Sequence, residues 1–215
     1  MAWQVEHAAL LLLKMPWPRR TSPFERTAVS SSSRAFCLAA STFSDANVFL
    51  ENRADSSDYG FWLGYSTGNT VQGNIILGSR SVGIAIEHGA TNRLLSNLVM
   101  GGKTGILLFI RDSNGPASRD YVVDGNTIGG VTRGLVLRRT AHVRVRGNIF
   151  DGADEGLVAD STGRDAQVTG NVFLRAQQYF IVAPELTAGS NYWAAATEAE
   201  AAARVKGAVV LQPWL

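Results

Sequence analysis

The chain has 215 residues and a mass of 23.1 kDa, enough for one sizeable core. A hydrophobic content of 46% with 18% charged residues excludes a disordered chain. No apolar run approaches the ~18 residues of a membrane-spanning helix, and a single cysteine, Cys37, excludes an internal disulfide framework. The net charge of +2 is uneven: residues 1–40 carry +3 and the remainder −1, so no basic groove for nucleic acid is indicated.

Residues 1–43 read as an extension outside the folded domain, either poorly ordered or non-native sequence from an altered start. Ala8–Met15 is apolar over only a short stretch, with no Lys or Arg ahead of it, so it makes no convincing signal peptide. Thr27–Phe36 is serine-rich and of low complexity.

From residue 44 the chain repeats. Asn52, Asn74, Asn97, Asn126, Asn148 and Asn171 stand 22, 23, 29, 22 and 23 residues apart. Gly60, Gly83, Gly105, Gly134 and Gly156, followed by Tyr179, keep step with them. Each glycine precedes a short apolar strand, such as "IAIEH" after Gly83 or "LVLRR" after Gly134. A period of 22–23 residues carrying about three short strands predicts one turn of a parallel β-helix. The asparagines are expected to tolerate a left-handed corner and to hydrogen-bond up a column of turns ~4.8 Å apart. The glycines are expected to supply positive φ or close backbone approach. The 29-residue step leaves a surplus at Arg111–Asp120, a protruding polar loop.

Residues 193–215 read as a C-terminal cap. Thr197–Gly207 predicts a helix with Thr197 as its N-cap and Glu200 completing a capping box. A last strand follows from Ala208, with Trp193 and Trp214 packed over the final turn. The fold class is therefore all-β: a single-stranded right-handed parallel β-helix of about six turns, spanning residues 44–215, with a short helix and strand as cap.

The stretch "NTVQGNIILGSRSVGIAIEHGATNRLLSN" and the ending "NYWAAATEAEAAARVKGAVVLQPWL" resemble the right-handed β-helix repeats of pectate-lyase-like proteins and of NosD-type periplasmic proteins. That resemblance covers about residues 44–215 and implies a secreted or periplasmic protein. Its members include polysaccharide lyases, hydrolases, uronate epimerases and a factor linked to copper-site maturation. The chain departs from their activity motifs: no aspartate cluster for calcium and no Asp-Pro-x-Asp is present. No cofactor is assigned from the residues, and Ca or Cu is implied by resemblance alone. With one Cys and three His (His7, His88, His142), no metal ligand set is assigned either.

The ligand face implied by the resemblance is the outer side of the strand after each glycine. Its first outward column is Trp62, Ala85, Leu107, Val136, Val158 and Ile181; the next holds Gly64, Glu87, Phe109, Arg138, Asp160 and Ala183. Tyr65, His88 and Arg139 stand at the corner beyond. The first column is apolar for an outer face, which is met either by something covering it or by an apolar groove floor. As a groove it would bind an acidic polysaccharide or oligosaccharide, with Trp62, Tyr65 and Phe109 as stacking surfaces. Arg138 or Arg139 would clamp a uronate carboxylate, and Glu87 or His88 would act as base. Asp160 lies three turns from Glu87, about 14 Å, beyond the ~5–9.5 Å of glycosidase carboxylate pairs. The leading expectation is a carbohydrate-binding or carbohydrate-processing protein, a lyase or epimerase before a glycosidase. The alternative is a non-catalytic NosD-type scaffold or an inactive truncated β-helix.

Overall fold

The computed structural model describes residues 38–40, 45–111 and 118–213. The expectations for residues 1–37, including Cys37, for the centre of the Arg111–Asp120 loop and for Trp214 fall outside the described residues. Nearly all regular structure is β, arranged as a right-handed parallel β-helix of about seven turns.

Three parallel sheets run the length of the solenoid. The first stacks Val48–Leu50, Thr70–Gln72, Arg93–Leu95, Val122–Asp124, Arg144–Arg146 and Gln167–Thr169. The second runs from Arg53–Asp55, through the first halves of Ile75–Glu87, Leu98–Phe109 and Thr127–Arg138, to Ile149–Asp151, Val172–Leu174 and Tyr192–Trp193. The third holds Leu38–Ala40, Tyr59–Gly64, the second halves of those long strands, Glu155–Ala159, Tyr179–Thr187 and Val205–Val210. Alternation along each strand turns one set of side chains inward. The core is accordingly a stack of columns, such as Phe61, Ile84, Ile106, Leu135 and Leu157, all 1% exposed or less. Towards the C-terminal end the inward column of the second sheet becomes aromatic. Phe150 stacks on Phe173 at 4.8 Å and Phe173 on Trp193 at 4.7 Å.

The asparagine column forms the expected ladder. Asn52 N and Nδ2 donate to Asn74 Oδ1 at 2.8 and 2.9 Å, and the pattern repeats at each turn. Asn171 passes it on to Asn191, a seventh rung only 20 residues further on. That short step hid the seventh turn from a count based on a 22–23 period. The asparagines themselves are not the left-handed residues. Positive φ falls one position earlier, at Glu51, Gly73, Ser96, Gly125, Gly147, Gly170 and Ser190. The preceding residue turns the corner, and the asparagine side chain points in to bind its neighbour.

The second glycine column works by close approach, not by φ. A methyl group on Gly134 would lie 2.2 Å from the Gly156 carbonyl oxygen, and one on Gly83 2.6 Å from that of Gly105. The column ends at Phe180 rather than Tyr179, because Leu157 pairs with Ile181 and Val158 with Val182. Ile181 is therefore an inward, fully buried residue, and Val182 takes the outer position. The turn between Gly156 and Phe180 is one residue longer than the period.

The C-terminal helix is shorter than its sequence pattern, Glu198–Ala203, with Thr197 Oγ1 accepting from Glu200 N at 3.2 Å. Glu200 reciprocates to Ala196 N at 2.8 Å, one residue before the position of a standard capping box. The last strand begins at Val205, because pairing with Ile181 continues the third sheet. Ala201 seals the core end and is fully buried.

Candidate functional site

The outer face of the third sheet is built from the turns that carry Trp62, Glu87, Phe109 and Arg138. Gly64 pairs with Glu87, Glu87 with Phe109 and Phe109 with Arg138, so the second outward column stands in register through these turns, whereas Ala183, shifted with Ile181, is an inward core residue. Consecutive members are about 4.8 Å apart along the axis.

The first outward column is not a bare groove floor. Val82, Ala85 and Phe109 are buried at 6%, 0% and 9% exposure, with Tyr59 and Leu107 packed against them. Trp62 lies against Tyr59 at 4.7 Å, and the Arg111 guanidinium sits 5.8 Å from the Trp62 ring. Arg111 Nε also meets Glu87 Oε1 at 3.3 Å, and the Glu87 side chain is only 10% exposed. Arg111 thus bridges an aromatic ring and a largely buried carboxylate. Its position after the strand Leu98–Phe109, at the base of the surplus loop, gave no sequence signal of that role.

Tyr65 and His88 stack face to face at 4.6 Å on consecutive turns, both at positive φ. His88 is 2% exposed, which makes it a packed corner residue. Arg138 and Arg139 are exposed on the next turns. The Arg139 main-chain N–H donates to Asp160 Oδ2 at 2.8 Å. Asp160 Oδ1 accepts from Thr162 N at 3.0 Å and from Thr162 Oγ1, so this carboxylate N-caps the 3-10 turn Ser161–Asp165. The structure therefore brings Glu87 and Arg111 together. It leaves Asp160 three turns away, engaged in a cap.

A second polar group lies at the corner before the first sheet. His142 Nε2 meets Asp165 Oδ2 at 3.1 Å, and His142 Nδ1 faces Asp120 Oδ1 at 3.5 Å. His142 N donates to Asp165 Oδ1 at 3.0 Å, and Asp120 also pairs with Arg119. Val143, Arg144 and Gln167 line the same hollow. The spacings 120, 142 and 165 repeat the period, a signal present in the sequence outside the Asn and Gly columns. The His142 imidazole thus lies between carboxylates of the two neighbouring turns.

Copper sites draw on His, Cys and Met. Here His88 is stacked in one corner, His142 lies between two carboxylates in another, and Met100 lies on the outer side of the second sheet. Among the described residues no group of three or more His, Cys, Asp or Glu is placed to hold a metal ion. The donor set does not fit a copper site there. No helix among the described residues is long and apolar enough to cross a membrane.

Compared with known proteins, residues 19–207 match the family described as periplasmic copper-binding protein (NosD). No curated protein and no solved structure matches the chain. The family match spans most of the solenoid described above, from before its first strand to within its last. The chain belongs to the NosD family of parallel β-helix proteins.

Proposed function

We propose that the chain is a non-catalytic periplasmic scaffold that serves copper-site maturation through its surfaces. The observation that carries this reading is the family match over residues 19–207. The use of the polar groups on the outer face supports it. Glu87 is held by Arg111, and Asp160 caps a turn. A general base needs an unengaged proton-accepting atom facing a substrate, and these groups are spent on holding turns together. Copper, on this reading, is handled by a partner or a shared interface.

The test uses the purified full chain in two arms. Acidic and neutral oligosaccharides are titrated calorimetrically beside an absorbance assay for unsaturated products; neither binding nor product is expected. Saturable sugar binding that is lost in Trp62→Ala and Arg138→Ala would overturn the scaffold reading in favour of a carbohydrate groove. In the second arm, copper retained after gel filtration is measured, and less than one ion per chain is expected. Stoichiometric copper lost in His88→Ala or His142→Ala would move the metal into the chain itself.

A further inference from the structure

The outer faces of the first and second sheets differ in chemistry, although the same chain supplies both at every turn. On the first sheet Gln72, Arg93, Arg144, Arg146, Gln167 and Thr169 stand outward and exposed. The second sheet carries apolar side chains in the matching places. Ile75, Leu98, Ile149, Val172 and Tyr192 share one outward column, with Leu77, Met100 and Leu174 in the column beside it. Ile75 and Ile149 are each 37% exposed and Tyr192 52%, so water reaches this face. Parallel sheets ordinarily have both faces covered, and an exposed apolar patch marks an interaction surface.

The face is built flat. Glycine stands at the corners on both sides of it: Gly73 and Gly78 on one turn, Gly125 and Gly130 on a later one, Gly147 and Gly152 on the next. No side chain projects from those rim positions. Within the face, Met100 fills the space beside Gly129, since a methyl group there would lie 3.1 Å from Met100 Cε. Charge on the face is balanced. Arg53 and Asp55 head the two columns, with side chains 54% and 37% exposed. Asp151 is already paired, Arg175 Nε donating to its Oδ1 at 2.7 Å.

We propose that the outer face of the second sheet is the interface of a reversible homodimer, packed sheet on sheet about a two-fold axis along the solenoid. The inference goes beyond the scaffold reading and does not depend on it. A neutral apolar face offers little to a strongly charged partner, but it complements itself. The axis sets the first column of one copy against the second column of the other at each level. Ile75 then meets the second copy's Leu77, Leu98 its Met100 and Val172 its Leu174. Arg53 meets its Asp55, and symmetry makes that charge pair twice. Asp151 falls opposite Ile149, where Arg175 has neutralised it. Seven turns of three-residue strands give a face of roughly 35 Å by 10 Å, which keeps the total buried area below about 1,200 Å², the range of reversible association.

The experiment is sedimentation equilibrium on the full chain, under reducing conditions so that Cys37 forms no cross-link. A monomer–dimer equilibrium half-associated between about 1 and 100 μM is expected. Ile75→Lys and Leu98→Lys should each weaken it at least about tenfold, with circular dichroism unchanged. Arg144→Glu, on the outer face of the first sheet, should leave it within about twofold. Arg53→Asp should weaken association about tenfold, and Arg53→Asp combined with Asp55→Arg should restore it, because opposite charges again face each other. Occupation of the face by a different protein or by other residues of the chain would leave the chain monomeric. A monomer at every concentration up to about 300 μM, a dimer that tolerates both lysines, or a charge exchange that fails to restore association would each overturn the proposal.

Discussion

Two corners of this solenoid begin alike and end differently. The corner entering the second sheet keeps asparagine from Asn52 to Asn191, every rung bonded to the next. The corner entering the first sheet starts the same way, with Asn47 bonded to Asn69 and Asn69 to Asn92. It then changes to Tyr121, Val143 and Ala166, all buried. The change coincides with the 29-residue turn. A buried amide ladder holds only while every rung finds a partner, because an orphaned group loses its solvation with nothing in return. Tyr121 ends the ladder: its hydroxyl donates to Gly89 O at 2.8 Å, pairs with Ser118 Oγ at 2.9 Å and is hydrogen-bonded with Asn92. Burial pushes the Tyr121 phenol well above its ordinary pKa, so the group stays a donor. Beyond it the column is apolar and needs no partner. The lesson is that a polar column can be stopped by one side chain that satisfies its last member.

The sharpest break of this contrast is in the middle of the complete ladder. Asn126→Ala should orphan the Asn97 main-chain N–H, take one of two acceptors from Asn97 Nδ2 and a donor from the Leu94 carbonyl, and weaken the hold on Asn148, costing about 4 kcal/mol. The urea midpoint would report it, and a loss below ~1 kcal/mol would show that the rungs are not coupled. Gly134→Ala comes next, at about 3 kcal/mol, since the new methyl meets the Gly156 carbonyl and the Phe150 ring. Tyr121→Phe should cost about 1.5 kcal/mol by leaving Gly89 O and Asn92 short of a partner. If the phenol is the stop for the second ladder, Tyr121→Phe at that corner should also cost more than Asp160→Ala. Asp160→Ala removes a cap on a short exposed turn and should cost about 1 kcal/mol by thermal melt.

The smallest effect concerns pH. Arg175 beside Asp151, and Arg80 beside Asp58, hold both carboxyls below their ordinary pKa. A carboxyl depressed in the folded state stabilises above its unfolded value, ~3.9, and that contribution is lost as pH falls through the folded value. Both pairs lie at the surface, so the loss is small. Asp151→Asn should lower stability slightly at pH 7 and leave it unchanged at the most acidic pH, flattening the acid limb by that same small amount; an unaltered acid limb would assign the loss to other groups.

The repeat was legible in the residues because its columns rest on steric rules. Asn at one corner and Gly at the next recur wherever the chain turns or one backbone crosses close to another, and identical neighbours make the pattern self-reinforcing. The Asn47, Asn69 and Asn92 column and the Asp120, His142 and Asp165 column carry the same period. The shift of the last glycine position to Phe180 was not legible, because one extra residue in a turn leaves no mark in composition. The register that sets Glu87, Phe109 and Arg138 in one column was legible along the strand Ile75–Glu87 and its partners. Their engagement was not: nothing in the string ties Arg111 to Glu87 and Trp62, or Asp160 to Thr162.

By itself the sequence determined the solenoid, its period, its capping end and the inward columns, since each follows from local backbone sterics and from stacking like on like. Only the tertiary structure decided which polar groups are already paired and which outer residues are buried. Those outcomes depend on distances between residues one turn or more apart in space, set by packing across the stack rather than by neighbours along the chain.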